Sequence, residues 1–347
     1  MKAFKKHSKR ILSLLLFLSV IFSLLSLTSC KSEPKKKIFY GYFDTVSVFF
    51  DYSGMNKRKF NTVAAEVEAS LKKYHELFDI YNEYDGVVNL ATVNKMAGKG
   101  KVTVDKEIID LLTFSKEMYD LTGGKVNIAM GAPLSLWHKL RGEGKRIPTK
   151  EELTPLGEHI SIDSLLIYED ELCVEITDPE MTLDVGAIAK GYAAERIREE
   201  LSQKGYSSLV LDLGGNLCTL GTKSDGSGWS SGIKNPLYAD GDSSEPYVRT
   251  VTLSGDALVT SGVYERNYTV DGVRYHHIID PKTLMPENRY LSVTVQCGSS
   301  AVADALSTAV FNMDISEVEK FIKTLSDTEL TLVLPDGSVR VLSSKEN

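Results

Sequence analysis

LDVGAIAKGYAAERI, residues 183–197, joins two kinds of structure, and how it is read decides the fold. Leu183-Asp184-Val185 has the alternation of a strand end, and Gly186 breaks it. From Ala187 to Lys204 the apolar positions recur at helical spacing, and Gly205 closes the run. A helix that opens here leaves backbone N–H groups free and carries partial positive charge, which favours phosphate. Lys190 lies on its first turn and adds to that field, and Gly191 permits close approach of a ligand or another backbone. An amphipathic helix with a surface lysine would show the same residues, so the stretch alone establishes a strand–helix junction. Downstream, Ser208 to Leu213 predicts a buried strand that ends in Gly214-Gly215-Asn216. The spacing is not G-x-G-x-x-G, so no Rossmann fingerprint is read there.

Working outward, Ile38 to Asp51 alternates apolar and polar residues as strands do, and Lys57 to Leu77 carries a helical apolar stripe. Asp79 to Asn94 reads as a loop, and Ile108 to Leu121 as a helix stopped by Gly123-Gly124. Residues 141–160 read as irregular, and Leu165 to Glu175 as paired short strands. Residues 222–246 read as a loop, strands follow at 248–254 and 257–262, and a hairpin is centred on Asp271-Gly272. Leu291 to Gln296 predicts a strand, Ala301 to Met313 and Ser316 to Thr324 predict helices, and a last hairpin turns at Pro335-Asp336-Gly337. Strands and helices mix without a regular βαβ rhythm, so the expected class is α+β, one globular unit in two lobes.

The chain has 347 residues, 42% hydrophobic and 25% charged, which are ordinary globular values. Its first ten residues, MKAFKKHSKR, are basic without an acid, and an apolar run follows to Leu27-Thr28-Ser29-Cys30, which looks like a bacterial lipobox. The expectation is a lipoprotein signal peptide over residues 1–29, lipid on Cys30, a tether over 30–37, and a domain over 38–347. An uncleaved membrane anchor is the other reading of the apolar run; either one puts the body at the cell membrane on its extracytoplasmic face. Loss of residues 1–29 removes five of the 40 basic residues and none of the 47 acidic ones, leaving a formal net charge of −12. Such a body disfavours nucleic acid as a partner, and binding a phosphorylated ligand would call for a local cation, for which a divalent metal is the obvious candidate. Cys173, Cys218 and Cys297 are odd in number and far apart, which argues for free thiols.

Two further stretches carry candidate chemistry. In ADALSTAV, residues 303–310, Asp304 and Thr308 are four apart and share one helical face, a carboxylate and a hydroxyl suited to a hard cation. A capping carboxylate would look the same. In YHHIIDP, residues 275–281, His276 and His277 point to opposite faces if the chain is extended, so only one faces a site. His277 alternates with Ile279, and an imidazole there is a candidate base at neutral pH. Asp280-Pro281 reads as the end of the strand.

In order and wording these pieces resemble the ApbE family, the FAD:protein FMN transferases, from about Phe43 to Met313. The matching segments are Phe43-Asp44-Thr45, Thr122-Gly123-Gly124 with Pro133-Leu134-Ser135-Leu136-Trp137, and Leu183-Asp184-Val185-Gly186 with Ala189-Lys190-Gly191-Tyr192. Asp212-Leu213-Gly214-Gly215-Asn216, Trp229-Ser230-Ser231-Gly232-Ile233, Ser261-Gly262-Val263-Tyr264-Glu265-Arg266, the double-histidine stretch and Ala303-Asp304-Ala305-Leu306-Ser307-Thr308 complete the series. The chain departs from the family in three places. Phe43-Asp44-Thr45 stands for the usual Met-Gly-Thr, Lys125-Val126-Asn127 for Ala-Phe-Asp, and Leu284 for the Gly after Asp-Pro-x-Thr.

The resemblance implies an α+β fold and an enzyme that takes FAD as substrate, attaches FMN to a Thr or Ser of an electron-transfer protein, and releases AMP. It implies Mg²⁺ held by Asp304, Ser307, Thr308 and the carbonyl of Ala187. FAD would meet Phe43, Tyr81, Lys125, Val126, Asn127, Asp184, Lys190 and Ile279, with Tyr81 stacking on a ring. His277 would be the base and Asp304 the catalytic metal ligand, and an unperturbed imidazole would make transfer fail as pH drops through ~6.5. An FAD pyrophosphatase with water as acceptor, and a flavin-holding lipoprotein without turnover, are the alternatives.

Overall fold

The computed structural model describes residues 33–345 apart from 240 and 242, so the expected signal peptide and Cys30 lie outside the described residues. Its frame is a sheet of eight strands, at Lys35–Tyr42, Thr45–Asp51, Leu209–Leu213, Asn216–Leu220, Ala257–Gly262, Ser292–Cys297, Glu329–Val333 and Val339–Ser343. They lie side by side in sequence order, each antiparallel to the next. Everything else is inserted between neighbours of this meander. The longest insertion, between Asp51 and Leu209, holds most of the helices and a three-stranded sheet of Val102–Thr103, Cys173–Ile176 and Leu165–Tyr168. One apolar core runs from Phe49 in the large sheet to Leu165 and Val174 in the small one, so the two expected lobes share it.

The helix Lys57–Phe78 shows why these residues fold as they do. Asn56 caps it, its side chain accepting from the Lys59 N–H at 2.9 Å. Phe60, Val63, Ala64, Val67, Leu71 and Tyr74 fall at spacings of three and four and are all buried. Each fully buried large apolar side chain contributes about 1.5–3 kcal/mol, so this stripe drives docking of the helix on the sheet, where Phe60 stacks on Phe49 at 5.9 Å.

Several expectations are corrected. Lys35 to Lys37, expected in the tether, belong to the first strand. The alternation from Ile38 to Asp51 is two strands folded at Phe43-Asp44, both at positive φ (53° and 52°), a two-residue hairpin turn made without glycine. The loop over 79–94 ends in a helix, Leu90–Lys95, capped by Asn89. The stretch 141–160 is not irregular: helix Gly131–Glu143 runs into it and stops at Gly144, and helix Lys150–Gly157 follows a capping box of Thr149 and Glu152. That box was legible as T-x-x-E. The loop over 222–246 contains strand Trp229–Lys234, paired with Tyr247–Leu253. Among the described residues no helix is long and apolar enough to cross a membrane.

Candidate functional site

The helices Ala189–Gln203 and Ser300–Phe311 meet at Gly191. A Cβ there would sit 2.3 Å from the Ser300 carbonyl oxygen and 2.4 Å from Asp304 Cβ, so only glycine lets the two helices approach this far. The Gly191 N–H donates to Asp304 Oδ2 at 2.8 Å, and Lys190 Nζ stands 3.8 Å from the same oxygen. A buried carboxylate is thus held at the positive end of the neighbouring helix. Because that N–H turns to Asp304, the Ala187 carbonyl, its usual helical acceptor four residues back, receives no backbone donor among the described residues. An orphaned carbonyl, a carboxylate with Oδ1 uncommitted and the half-buried Thr308 hydroxyl are all hard oxygen donors, the set that suits Mg²⁺. No trio of His, Cys, Asp or Glu able to hold a metal occurs among the described residues, so a cation here would need ligands beyond such side chains. Ser307, expected in the ligand set, has a buried hydroxyl that donates to the Asp304 carbonyl at 2.9 Å and pairs with Ser261 Oγ at 2.8 Å.

Asp184 stands just before this junction and accepts from the Gly186 N–H at 2.8 Å. Crowding pushes its carboxyl up, against the pull of that N–H and of His138, Arg266 and Lys190. Tyr81 faces the same charges: its ring is exposed, yet burial of the hydroxyl and then Asp184 push the phenol up to about 12. His138 lies 5.7 Å from the Tyr81 ring, carried there by helix Gly131–Glu143. Arg141, one turn on, and Arg266 repel each other, which lowers Arg141 beyond the effect of its burial. His138, Arg141 and Arg266 were not singled out as candidates in the sequence; the helix that aligns the first two was missing from the reading.

The double histidine resolves clearly. His276 is buried, its Nδ1 accepting from the Ile278 N–H at 3.2 Å and its Nε2 lying 3.2 Å from the Glu287 carbonyl, with Phe311 edge-on at 5.2 Å. Both ring nitrogens are thus engaged within the protein. His277 has a buried Nδ1 with no partner. Burial first, then the charges of Arg266, His276, Lys190 and Arg141, hold this imidazole down to about 3. It is therefore neutral at physiological pH, and an acid limb near ~6.5 is not expected from the unliganded chain.

The ApbE family model matches residues 43–332. The chain belongs to the ApbE family. Two relatives described as FAD:protein FMN transferases are similar to it: one from Klebsiella pneumoniae strain 342, 30% identical over 82% of this chain and 85% of that protein, and one from Treponema pallidum strain Nichols, 32% identical over 80% of each. Among solved structures, the ApbE protein of Thermotoga maritima superposes with a TM-score of 0.78 at 28% identity, covering 89% of this chain and 96% of that one. The fold is thus the α+β fold of the ApbE proteins.

The residues that depart from the ApbE pattern have partners within the protein. Lys125 Nζ donates to the Asn312 carbonyl at 2.8 Å and lies 3.5 Å from Asp280. Val126 is buried in the main core. Asn127 donates to the Ile160 carbonyl and accepts from the Ala129 N–H. Lys125 and Asn127 are half-buried, and all three side chains have partners within the protein. Ile279 is likewise buried, in a small cluster with Trp137 and Leu284. Phe43 sits at the hairpin turn, its ring edge-on to His75 at 5.7 Å. Leu284, standing for the family's glycine, has φ of 58°; its carbonyl accepts from Trp137 Nε1 at 2.9 Å.

Proposed function

We propose that this protein is an FAD:protein FMN transferase that uses Mg²⁺ and modifies a Thr or Ser of an electron-transfer partner. The observation that carries the reading is the Gly191 junction, which brings Asp304, Lys190 and the orphaned Ala187 carbonyl to one helix start. The acceptor hydroxyl oxygen attacks the phosphorus of the FMN half of FAD, the bond to the bridging oxygen breaks, and AMP leaves with that oxygen and its electron pair. The reaction needs positioning and charge neutralisation. Asp304, Thr308 and Ala187 would hold the cation, which when bound neutralises charge on the leaving phosphate. Lys190 and the helix start hold the pyrophosphate, and Tyr81 presents an open ring for stacking. The hydroxyl proton goes to His277. Its neutral imidazole is ready to accept, and a bound pyrophosphate offsets the cations that weaken it as a base.

On the residues before the described structure, we further propose that Cys30 carries lipid and holds the enzyme on the extracytoplasmic face of the cell membrane, where its acceptor resides. The test is incubation with FAD, Mg²⁺ and a candidate acceptor, then mass spectrometry of the acceptor. A gain of one FMN on Thr or Ser, with AMP in equal amount, is expected. FMN and AMP formed freely with the acceptor unmodified would make the protein a pyrophosphatase. Retained, unconverted FAD would make it a flavin carrier.

A further inference from the structure

The C-terminal turn of helix Lys57–Phe78 carries a chain of hydrogen bonds that joins two separate parts of the site. The Phe43 N–H, in the strained hairpin turn, donates to His75 Nδ1 at 3.3 Å. That bond assigns the proton of a neutral imidazole to Nε2. His75 Nε2 lies 3.2 Å from the Tyr84 hydroxyl, which in turn donates to Asp79 Oδ2 at 2.7 Å. Asp79 Oδ1 accepts from the backbone N–H of Tyr81 at 2.7 Å and of Asn82 at 3.1 Å, and the Asn82 side chain donates to Oδ2. Every donor in this chain finds one acceptor, and the direction runs one way from Phe43 to the carboxylate.

The ionisation states agree with that direction. Burial alone would push the Asp79 carboxyl up, but the bonds from Asn82, Tyr84 and the Tyr81 N–H hold it below its ordinary value. Burial and then the bond to Asp79 push the Tyr84 phenol up to about 12. A carboxylate acceptor and a protonated phenol donor are the states the chain needs. His75 is also fixed sideways, with Tyr42, Phe43 and Tyr84 edge-on to its ring at 5.9, 5.7 and 6.0 Å.

We infer that His75, Tyr84 and Asp79 are positioning residues that lock the Phe43-Asp44 turn to the Tyr81 loop and so hold two walls of the flavin site in register. The inference rests on the flavin-transfer reading for what the walls bind. None of the three need touch FAD. A left-handed conformation is strained for Phe43, and His75 supplies both the acceptor and the packing that keep it there. Without the relay, the turn relaxes and the Tyr81 loop loses its anchor, so FAD would meet a site that it must first order.

The test uses Tyr84→Phe, His75→Leu and His75→Asn in the full chain. FAD affinity is read by quenching of flavin fluorescence, beside KM and kcat for transfer and a thermal melt. Tyr84→Phe and His75→Leu should each weaken FAD binding and raise KM roughly tenfold, the worth of one well-placed hydrogen bond, with kcat at saturating FAD within about twofold. His75→Asn places an acceptor near the position of Nδ1 and should restore most of the affinity. Wild-type affinity in Tyr84→Phe, or equal losses in His75→Leu and His75→Asn that track a fall in melting temperature, would overturn the inference. Should His75→Leu fail to fold, Tyr84→Phe decides alone, since it keeps the ring. A wild-type chain that neither binds nor converts FAD would instead refute the flavin-transfer reading.

Discussion

Replacing Gly191 by alanine should damage the protein at its most closely packed point. The new Cβ would lie 2.3 Å from the Ser300 carbonyl oxygen and 2.4 Å from Asp304 Cβ, so the two helices must part by roughly 1 Å to restore contact distances. Parting them stretches the 2.8 Å bond from the Gly191 N–H to Asp304 beyond useful range. Overpacking costs about 1–3 kcal/mol and loss of a bond to a charged acceptor about 1.5–3, while alanine returns about 1 through helix propensity. The net loss is then ~1.5–5 kcal/mol, or a fall in Tm of roughly 3–10 °C at ~2 °C per kcal/mol for a unit of this size. Transfer should fall as well, because Asp304 and Lys190 move apart. Calorimetry and the FMN-transfer assay read the two effects. Gly142→Ala is the control: it is exposed, helical and has nothing within 4 Å of the added Cβ, so it should stabilise by about 0.5–1 kcal/mol. A Gly191→Ala protein that melts and turns over like the wild type would refute the close-approach argument.

Asp304→Asn keeps the acceptor for the Gly191 N–H but removes the charge. Transfer should fall at least ~10²-fold with little change in Tm, and excess EDTA should stop the wild type until Mg²⁺ is returned; full activity in EDTA would rule out the metal. His277→Ala should lose about 10²–10⁴ in rate with FAD binding largely kept, whereas His276→Ala should lose stability; the reverse pattern in kinetics and melts would overturn the assignment. His276 is held down to about 4 mainly by burial, against ~6.5 unfolded, so the unfolded chain binds more protons between those values. Stability from this group is therefore complete above ~6.5 and declines on acidification toward about 4, by at most ~1.4 kcal/mol per pH unit; urea midpoints equal at pH 7 and pH 5 would contradict it. Leu284→Gly relieves ~1–2 kcal/mol of left-handed strain but empties a buried leucine site worth ~2–5, so a net loss is expected in denaturant melts, and a gain would show the strain to be larger than the packing.

What was legible in the chain follows from what periodicity reports. The stripe from Phe60 to Tyr74 is buried as read, and so is the strand before Gly214-Gly215, because one face of each is packed against a single core. Helix Gly131–Glu143 was not legible, since few of its positions are fully buried and the apolar ones lie on no clean stripe. With it went His138 and Arg141. The hairpin at Phe43-Asp44 was hidden because Phe43 is not a usual turn former at positive φ and no glycine follows Asp44. At the site, Asp304 and Lys190 were readable from helix spacing, but the consequence of Gly191 was not: that its N–H would leave Ala187 for Asp304 depends on a second helix more than a hundred residues away. His276 and His277 could be separated by alternation, yet the strand ends at Tyr275, and what separates them is the bonds each makes.

The departures from the family pattern then acquire a physical meaning. Asp44 and Leu284 both occupy left-handed conformations, at φ of 52° and 58°, which glycine adopts more readily. The fold has kept the backbone path and accepted strain at each. At Leu284 the return is visible: its side chain joins the cluster around Trp137 and fills the space left beside Gly157, where a Cβ would come within 2.7 Å of its Cδ1. At Asp44 it is less direct. Aspartate tolerates the left-handed region better than most residues, and Phe43 beside it is tied by His75 through both a hydrogen bond and a ring edge. Lys125, Val126 and Asn127 follow the same logic, each consumed by a backbone carbonyl, a core or a turn. The departures therefore keep the backbone path while changing the side chains along it.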